Sequence, residues 1–207
     1  MRLEWRNLGK RLGGRTILAN LNGAVEAGEV LVVTGANGSG KTTLLRLLAG
    51  LSHPTAGLVT LANGGQRPQP MSACLREVGF VTPELALYGE LTAIENLDFF
   101  ARARGLRPNR SECRRQLERF GLGDRGDDEL RAFSSGMKQR LKLAFATLHQ
   151  PHVLLLDEPG SNLDDAGDDV VRQLVQQQRG RGLCVLATND ERERSIGDRI
   201  FTLGRDA

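Results

Sequence analysis

The stretch Thr34–Gly50, TGANGSGKTTLLRLLAG, constrains the fold more than any other part of the chain. Gly35, Ala36, Asn37, Gly38, Ser39, Gly40, Lys41 and Thr42 satisfy G-x-x-x-x-G-K-[ST] at every defined position. The apolar run EVLVVTG before it reads as a buried strand. KTTLLRLLAG after it reads as a helix closed by Gly50. Strand, glycine turn and helix in this order make a cradle for phosphates. Glycines let successive backbone N–H groups turn inward, and the helix start adds the positive end of its dipole. Lys41 can reach β- and γ-phosphates, and the Thr42 hydroxyl, followed by Thr43, is a ligand type for Mg²⁺. A chance lysine in a glycine-rich turn would not require that strand and that helix on its two sides.

The rest of the chain repeats the alternation. HVLLLDEP reads as a second buried strand, ended by Pro159; LCVLATND reads as a third and RIFTLGR as a fourth. The helix near DDVVRQLVQQQ supplies the crossover that parallel strands need. The fold expected is therefore α/β, a P-loop NTPase with a mainly parallel core. The N-terminal section, with its alternating strands and turn glycines, predicts a small antiparallel β flank. The middle is helical. Thr92 and Glu95 have the spacing of a capping box, so a helix is expected through IENLDFFARAR to Gly105, and another near SECRRQLERF to Gly121. The organisation expected is one domain over residues 1–207, with a core at 1–83 and 133–207 and a helical insertion at about 84–132.

Asp157 and Glu158 close the strand VLLLDE, which delivers them to the carboxyl edge of the sheet, where ligands bind in open α/β folds. Asp157 is the expected Mg²⁺ partner, through water. Glu158 is placed to orient or deprotonate an attacking water. Alone, two carboxylates at a strand end would mean little; beside an intact phosphate loop they form a site.

Composition narrows the classes. Aromatic residues are 4% of the chain, too few for a base-stacking nucleic-acid surface. The net charge of +3 comes from interspersed Lys and Arg, without a block of one sign, so no nucleic-acid partner is expected. Three cysteines, far apart and without CxxC spacing, argue against a disulfide framework or zinc site and for a reducing compartment. No apolar run approaches the roughly 20 residues of a membrane span, and MRLEWRNLGK lacks a signal peptide's apolar core. If a membrane is served, another chain crosses it.

The stretch Phe133–Asp164, FSSGMKQRLKLAFATLHQPHVLLLDEPGSNLD, resembles the ATP-binding cassette family, specifically the nucleotide-binding subunits of ABC transporters. Those subunits carry an L-S-G-G-Q signature, a basic helix, the Asp-Glu strand and a short loop ending in Leu-Asp. Here the order is Phe133-Ser134-Ser135-Gly136-Met137, then Lys138-Gln139-Arg140, then Ser161-Asn162-Leu163-Asp164, and the resemblance runs through essentially the whole chain. It implies a RecA-like core, ATP and Mg²⁺ as cofactors, and ATP hydrolysis coupled to transport. It implies a homodimer, or a pair with a second ABC subunit. The signature Ser134, Ser135 and Gly136 of one copy, with Asp164, then closes over nucleotide held by the other. The partner implied is an integral membrane permease, which would hold the chain at the cytoplasmic face of the membrane.

Four positions depart from the family pattern. The glutamine after VGFVT is replaced by Pro83, and Glu84 is the substitute metal partner that the register offers. The adenine-stacking aromatic falls on Leu12, with Trp5 a weaker candidate. The signature glutamine is Met137. The switch histidine is Asn189, whose amide can donate to a γ-phosphate oxygen but cannot titrate. Slow but real hydrolysis is expected, because Lys41, Thr42, Asp157 and Glu158 remain. An ATP-sensing module without turnover is the competing expectation. In the insertion, Leu97, Phe99 and Phe100 are candidates for permease contact or for local core. The chain ends soon after IFTL, a compactness similar to the haem-exporter ATP-binding subunit of cytochrome c maturation and to subunits of small drug or lipid exporters. Export is the direction expected, with haem as the named cargo.

Overall fold

The structure, a computed structural model, describes residues 1–204; Arg205, at the end of the expected strand RIFTLGR, lies outside the described residues. The main sheet contains β3 (Val30–Gly35), β6 (Val78–Val81), β7 (Val153–Asp157), β8 (Leu183–Ala187) and β9 (Arg199–Leu203). Its order is β6-β7-β8-β3-β9, and every neighbouring pair is parallel. The central strands are buried on both faces, which is why they read as unbroken apolar runs and not as alternating ones.

Period-2 geometry divides those runs between two cores. Val30, Val32, Leu154, Leu156, Cys184 and Leu186 face one side. That side is covered by α2 (Ala93–Ala103), α3 (Arg110–Glu118), α4 (Ser135–Thr147) and α5 (Asp165–Arg179). Leu31, Val33, Val153, Leu155, Leu183 and Val185 face the other, against α1 (Lys41–Leu48) and a second sheet. Each fully buried Val or Leu contributes about 1.5–3 kcal/mol of transfer free energy, so the two-sided strands dominate the core.

The second sheet is the N-terminal antiparallel flank, made of β1 (Arg2–Leu12), β2 (Arg15–Glu26), β4 (Ala56–Ala62) and the two-residue β5 (Gln69–Pro70) in the order β2-β1-β4-β5. Along β1, Leu3 and Trp5 point inward and then Leu8 does. The parity changes at Asn7, whose φ is +48° and beside which the β1–β2 register shifts. Trp5 is 1% exposed, packs edge-on to Phe201 with ring centroids 5.9 Å apart, and presses on the bare backbone of its cross-strand partner Gly23. The suggestion that Trp5 receives an adenine base is corrected by this packing: its ring is core.

The capping box at Thr92 is present in full, with Glu95 N–H donating to Thr92 Oγ1 at 3.2 Å and Thr92 N–H to Glu95 Oε2 at 2.8 Å. A second box, Asn109 with Glu112, starts α3. Gly105 and Gly121 follow the two helices with φ of +79° and +67°, the left-handed conformation that glycine adopts freely.

Candidate functional site

The six α-helices of the described residues differ at their starts. Thr92, Asn109, Ser134, Asp164 and Asp190 each cap their own helix with a side-chain oxygen; α1 has no side-chain cap and no acid in its first turn. The first N–H groups of a helix have no intrahelical acceptor, so α1 presents them uncapped. Gly40, at its N-cap with φ +99°, cannot be replaced cheaply: a Cβ there would sit 2.8 Å from Leu18. Inside the loop the Lys41 ammonium folds back onto the carbonyls of Gly35 at 2.7 Å and Ala36 at 3.4 Å, and the residue is 6% exposed. The Ser39 hydroxyl is buried and has no partner.

The carboxylates come from β7. Asp157 is 1% exposed and accepts from Thr42 Oγ1 at 2.6 Å, so two of the three expected metal partners are already in contact. Burial pushes the Asp157 carboxyl above its ordinary value, Thr42 pulls against this, and the nearby charges of Glu158 and Glu84 push the same way as burial. A cation would relieve that burial cost. With the hydroxyl of Thr42, Asp157 makes a pair of oxygen donors suited to Mg²⁺.

Glu158 follows in the left-handed region, at φ +48°, where a side chain other than Asn, Asp or Gly is strained. Its N–H donates to the Ala187 carbonyl at 2.9 Å, which ties the end of β7 to β8. Gln139 on α4, 6% exposed, donates to the Pro159 carbonyl at 2.9 Å and holds the same turn from the other side. Glu158 lines a depression of about 390 Å³ together with Asn37, Gly38, Gly40, Lys41 and Thr42. Asn189 bridges the phosphate loop: it accepts from Gly35 N–H at 3.4 Å and donates to Asn37 Oδ1 at 3.2 Å.

Other expected residues stand elsewhere. Glu84 is exposed and spends its carboxylate on Thr82 at 2.6 Å and on Arg46 of α1 at 2.8 Å, so reaching a metal requires that pair to part. Leu12 is 52% exposed and is not in the wall of the phosphate depression; Ile17, which the sequence reading missed, is. Ser134 caps α4 by accepting from Met137 N–H at 3.2 Å. A Cβ on Gly136 would lie 2.9 Å from the Asn162 carbonyl, so a glycine lets the signature turn pack on the loop before α5. Asp164 caps α5 through Gly167 N–H at 2.9 Å. Ser135 and Asn162 line a different depression, of about 320 Å³, and none of Ser134, Ser135, Gly136 or Asp164 lines the one beside Lys41. Pro83 offers only its carbonyl, which accepts from Lys142 at 2.6 Å.

The profile of the family described as "ABC transporter" matches residues 18–161. The chain belongs to the ABC transporter family. Cassettes of this family are ATPases, and the uncapped helix, Lys41 and the Asp157–Glu158 pair are the features of this cassette that bear on that chemistry. It is 38% identical over 166 residues to the ABC transporter ATP-binding protein NatA of Bacillus subtilis (strain 168), covering 78% of the chain and 67% of NatA. It is 37% identical over 206 residues to the Fe(3+) ions import ATP-binding protein FbpC of Brucella melitensis biotype 1, covering 97% of the chain and 58% of FbpC. The chain thus spans about three-fifths to two-thirds of these relatives. Among solved structures, the dimeric post-hydrolysis state of the ATP-binding cassette MJ0796 bound to ADP and Pi superposes with a TM-score of 0.86 at 25% identity, over 98% of this chain and 94% of that one.

Proposed function

We propose that this cassette binds and hydrolyses MgATP as the motor subunit of an ABC transporter, with two copies closing head to tail around two nucleotides. One observation carries the reading. The phosphate depression holds Lys41, Thr42 and Glu158 but none of the signature residues, and Ser135 lines a separate depression instead. A second copy supplies what this half lacks, and the ADP- and Pi-bound dimer of MJ0796 supports that arrangement.

In this reading the backbone N–H groups from Gly38 to Thr43 receive the phosphates. Lys41 leaves the carbonyls of Gly35 and Ala36 for the β- and γ-oxygens. Thr42 and Asp157 would hold Mg²⁺, with Glu84 in reach only after it releases Arg46. When bound, the ion neutralises charge that builds on the phosphate oxygens. Glu158 orients and deprotonates the attacking water, and Asn189 donates its amide to the γ-phosphate. Ser134, Ser135, Gly136 and Asp164 act on the nucleotide of the opposite copy. Leu12 and Ile17 pack on the base side.

The permease contact falls on the helical insertion, residues 84–132. Tyr88 and Phe99 are 47% and 45% exposed, and their rings meet edge-on at 5.0 Å, whereas Leu97 is 1% exposed and belongs to the core. That contact would place the chain at the cytoplasmic face of a membrane. Export with haem as cargo is the sequence expectation; the name of FbpC supports Fe(3+) import as the rival. The membrane protein that co-purifies with this chain decides between them.

Met137 and Asn189, which lack the hydrogen-bonding and titrating groups of their family counterparts, favour a second reading, an ATP sensor that does not turn over. Purified wild type should release phosphate from MgATP, and Glu158→Gln should abolish release while trapping a dimer. Wild-type release no greater than that of Glu158→Gln would replace the motor by the sensor.

A further inference from the structure

The carboxylate of Glu193 lies outside the phosphate depression, yet it touches both loops that bear on it. Glu193 sits on the short helix α6 (Glu191–Arg194) and is 7% exposed. Its Oε1 accepts from the backbone N–H of Gly160 at 2.6 Å, two residues beyond Glu158. The Thr188 hydroxyl also stabilises its ionised form, and Thr188, 2% exposed, directly precedes Asn189. Because α6 starts two residues after Asn189, this one buried carboxylate joins the turn after Glu158 to the loop that carries Asn189.

The local sequence is shaped around this contact. A Cβ on Gly160 would lie 2.5 Å from Glu193 Oε1, so only glycine lets the carboxylate approach the backbone. The turn it holds begins at the strained φ of +48° at Glu158. A strained residue keeps its conformation only while its surroundings over-determine it. Three anchors do so here: Glu158 N–H on Ala187, Gln139 on the Pro159 carbonyl, and Gly160 N–H on Glu193. Burial and the nearby Asp190 and Asp168 oppose the charge on Glu193. Arg192, paired with Asp168 at 2.7 Å and Asp190 at 2.9 Å, partly offsets those two. A carboxylate kept buried among other acids costs stability, and the cost is explicable if its bond to Gly160 sets the geometry of the site.

We infer that Glu193 is a positioning residue for hydrolysis, fixing the Glu158 turn and the Asn189 loop at one mutual distance by binding Gly160 N–H from α6. This rests on the motor reading above. It predicts a defect in turnover and not in nucleotide affinity, because no residue of the phosphate loop touches Glu193.

The test compares wild type, Glu193→Ala, Glu193→Asp and Glu193→Gln in the full chain, by MgATP turnover, by affinity for a fluorescent ATP analogue and by amide exchange. Ala removes the acceptor, Asp is one methylene too short, and Gln keeps an oxygen for Gly160 N–H. Ala and Asp should lower kcat on the order of tenfold or more with the dissociation constant within about threefold. They should speed exchange of the Gly160 amide about tenfold or more while β7 stays protected. Gln should recover most of both. Should Ala be too unstable, Asp carries the comparison. Turnover in Asp within twofold of wild type, or a Gly160 amide as protected as in wild type, overturns the tether. Wild-type turnover equal to that of Glu158→Gln instead overturns the motor reading, and with it a catalytic role for Glu193, while the exchange data still report whether the tether exists.

Discussion

Thr42→Val isolates the contact on which the metal-binding half of the site depends. The side chain keeps its volume and loses one hydroxyl, the donor that Asp157 holds at 2.6 Å. A hydrogen bond to a charged group is worth about 1.5–3 kcal/mol; because Thr42 is only half-buried, about 1–2 kcal/mol is the expected loss. For a chain of this size that is about 2–8 °C in Tm. The loss should depend on pH. Burial raises the folded-state value of Asp157 above its ordinary 3.8, so the ionised form costs stability above that value and the cost is relieved as pH falls through it. The Thr42 bond favours the ionised form. Its contribution is therefore complete at pH 8 and fades as Asp157 takes a proton. Thermal unfolding of the nucleotide-free protein over a pH series from 8 down through the carboxylate range reads both effects. Asp157→Asn supplies the control: it removes the unfavourable charge, should leave stability at pH 8 unchanged or higher, and should shrink the cost of Thr42→Val by about 1 kcal/mol in the double variant. A loss that stays constant across the whole pH series, or strict additivity in the double variant, would refute the idea that Thr42 serves a buried charge.

Asn189→His should raise turnover, and Asn189→Ala should lower it by on the order of 10²-fold, since one preorganised donor is worth about that much; phosphate release under saturating MgATP reads both. His149, held between the Val78 carbonyl and Arg104, has its value lowered from 6.5 to about 4, chiefly by burial and then by Arg104. The folded protein therefore refuses a proton that the unfolded chain accepts. Stability should fall by about 2 kcal/mol between pH 6.5 and 4, after discounting for partial exposure, and His149→Gln should flatten that slope in urea titrations. Thr92→Ala removes one arm of the capping box and should cost about 1 kcal/mol, seen as faster amide exchange in α2 with ATP affinity unchanged.

How much of this could be read from the residues follows from how local each feature is. The loop 35–42, the strand ending at Asp157 and the box at Thr92 are contiguous, and their chemistry is encoded within eight residues. The parallel sheet was legible for a related reason, because strands buried on both faces leave unbroken apolar runs. β4 and β6 went unassigned: β4 is largely exposed at its start, and β6 is only four residues long. Trp5 was open to misreading because the parity change at Asn7 is a backbone event with no signature in the side-chain pattern. The pairings that set the site's geometry were not legible. Thr42 meets Asp157 across 115 positions, Gly160 meets Glu193 across 33, and Gln139 reaches Pro159 from another helix. Each is made by the fold between residues that no spacing rule connects. Glu84 shows the converse: its register recommends it as a metal partner, while its nearest cation is Arg46.

The central claim is that each half-site is finished by a second copy. The most direct measurement is an experimental structure of the Glu158→Gln variant saturated with MgATP. The account predicts a symmetric dimer with the Ser134 hydroxyl and Gly136 N–H of each protomer against the triphosphate held by its partner's Lys41. A nucleotide-saturated protein whose signature turns face solvent, away from any bound phosphate, would contradict it.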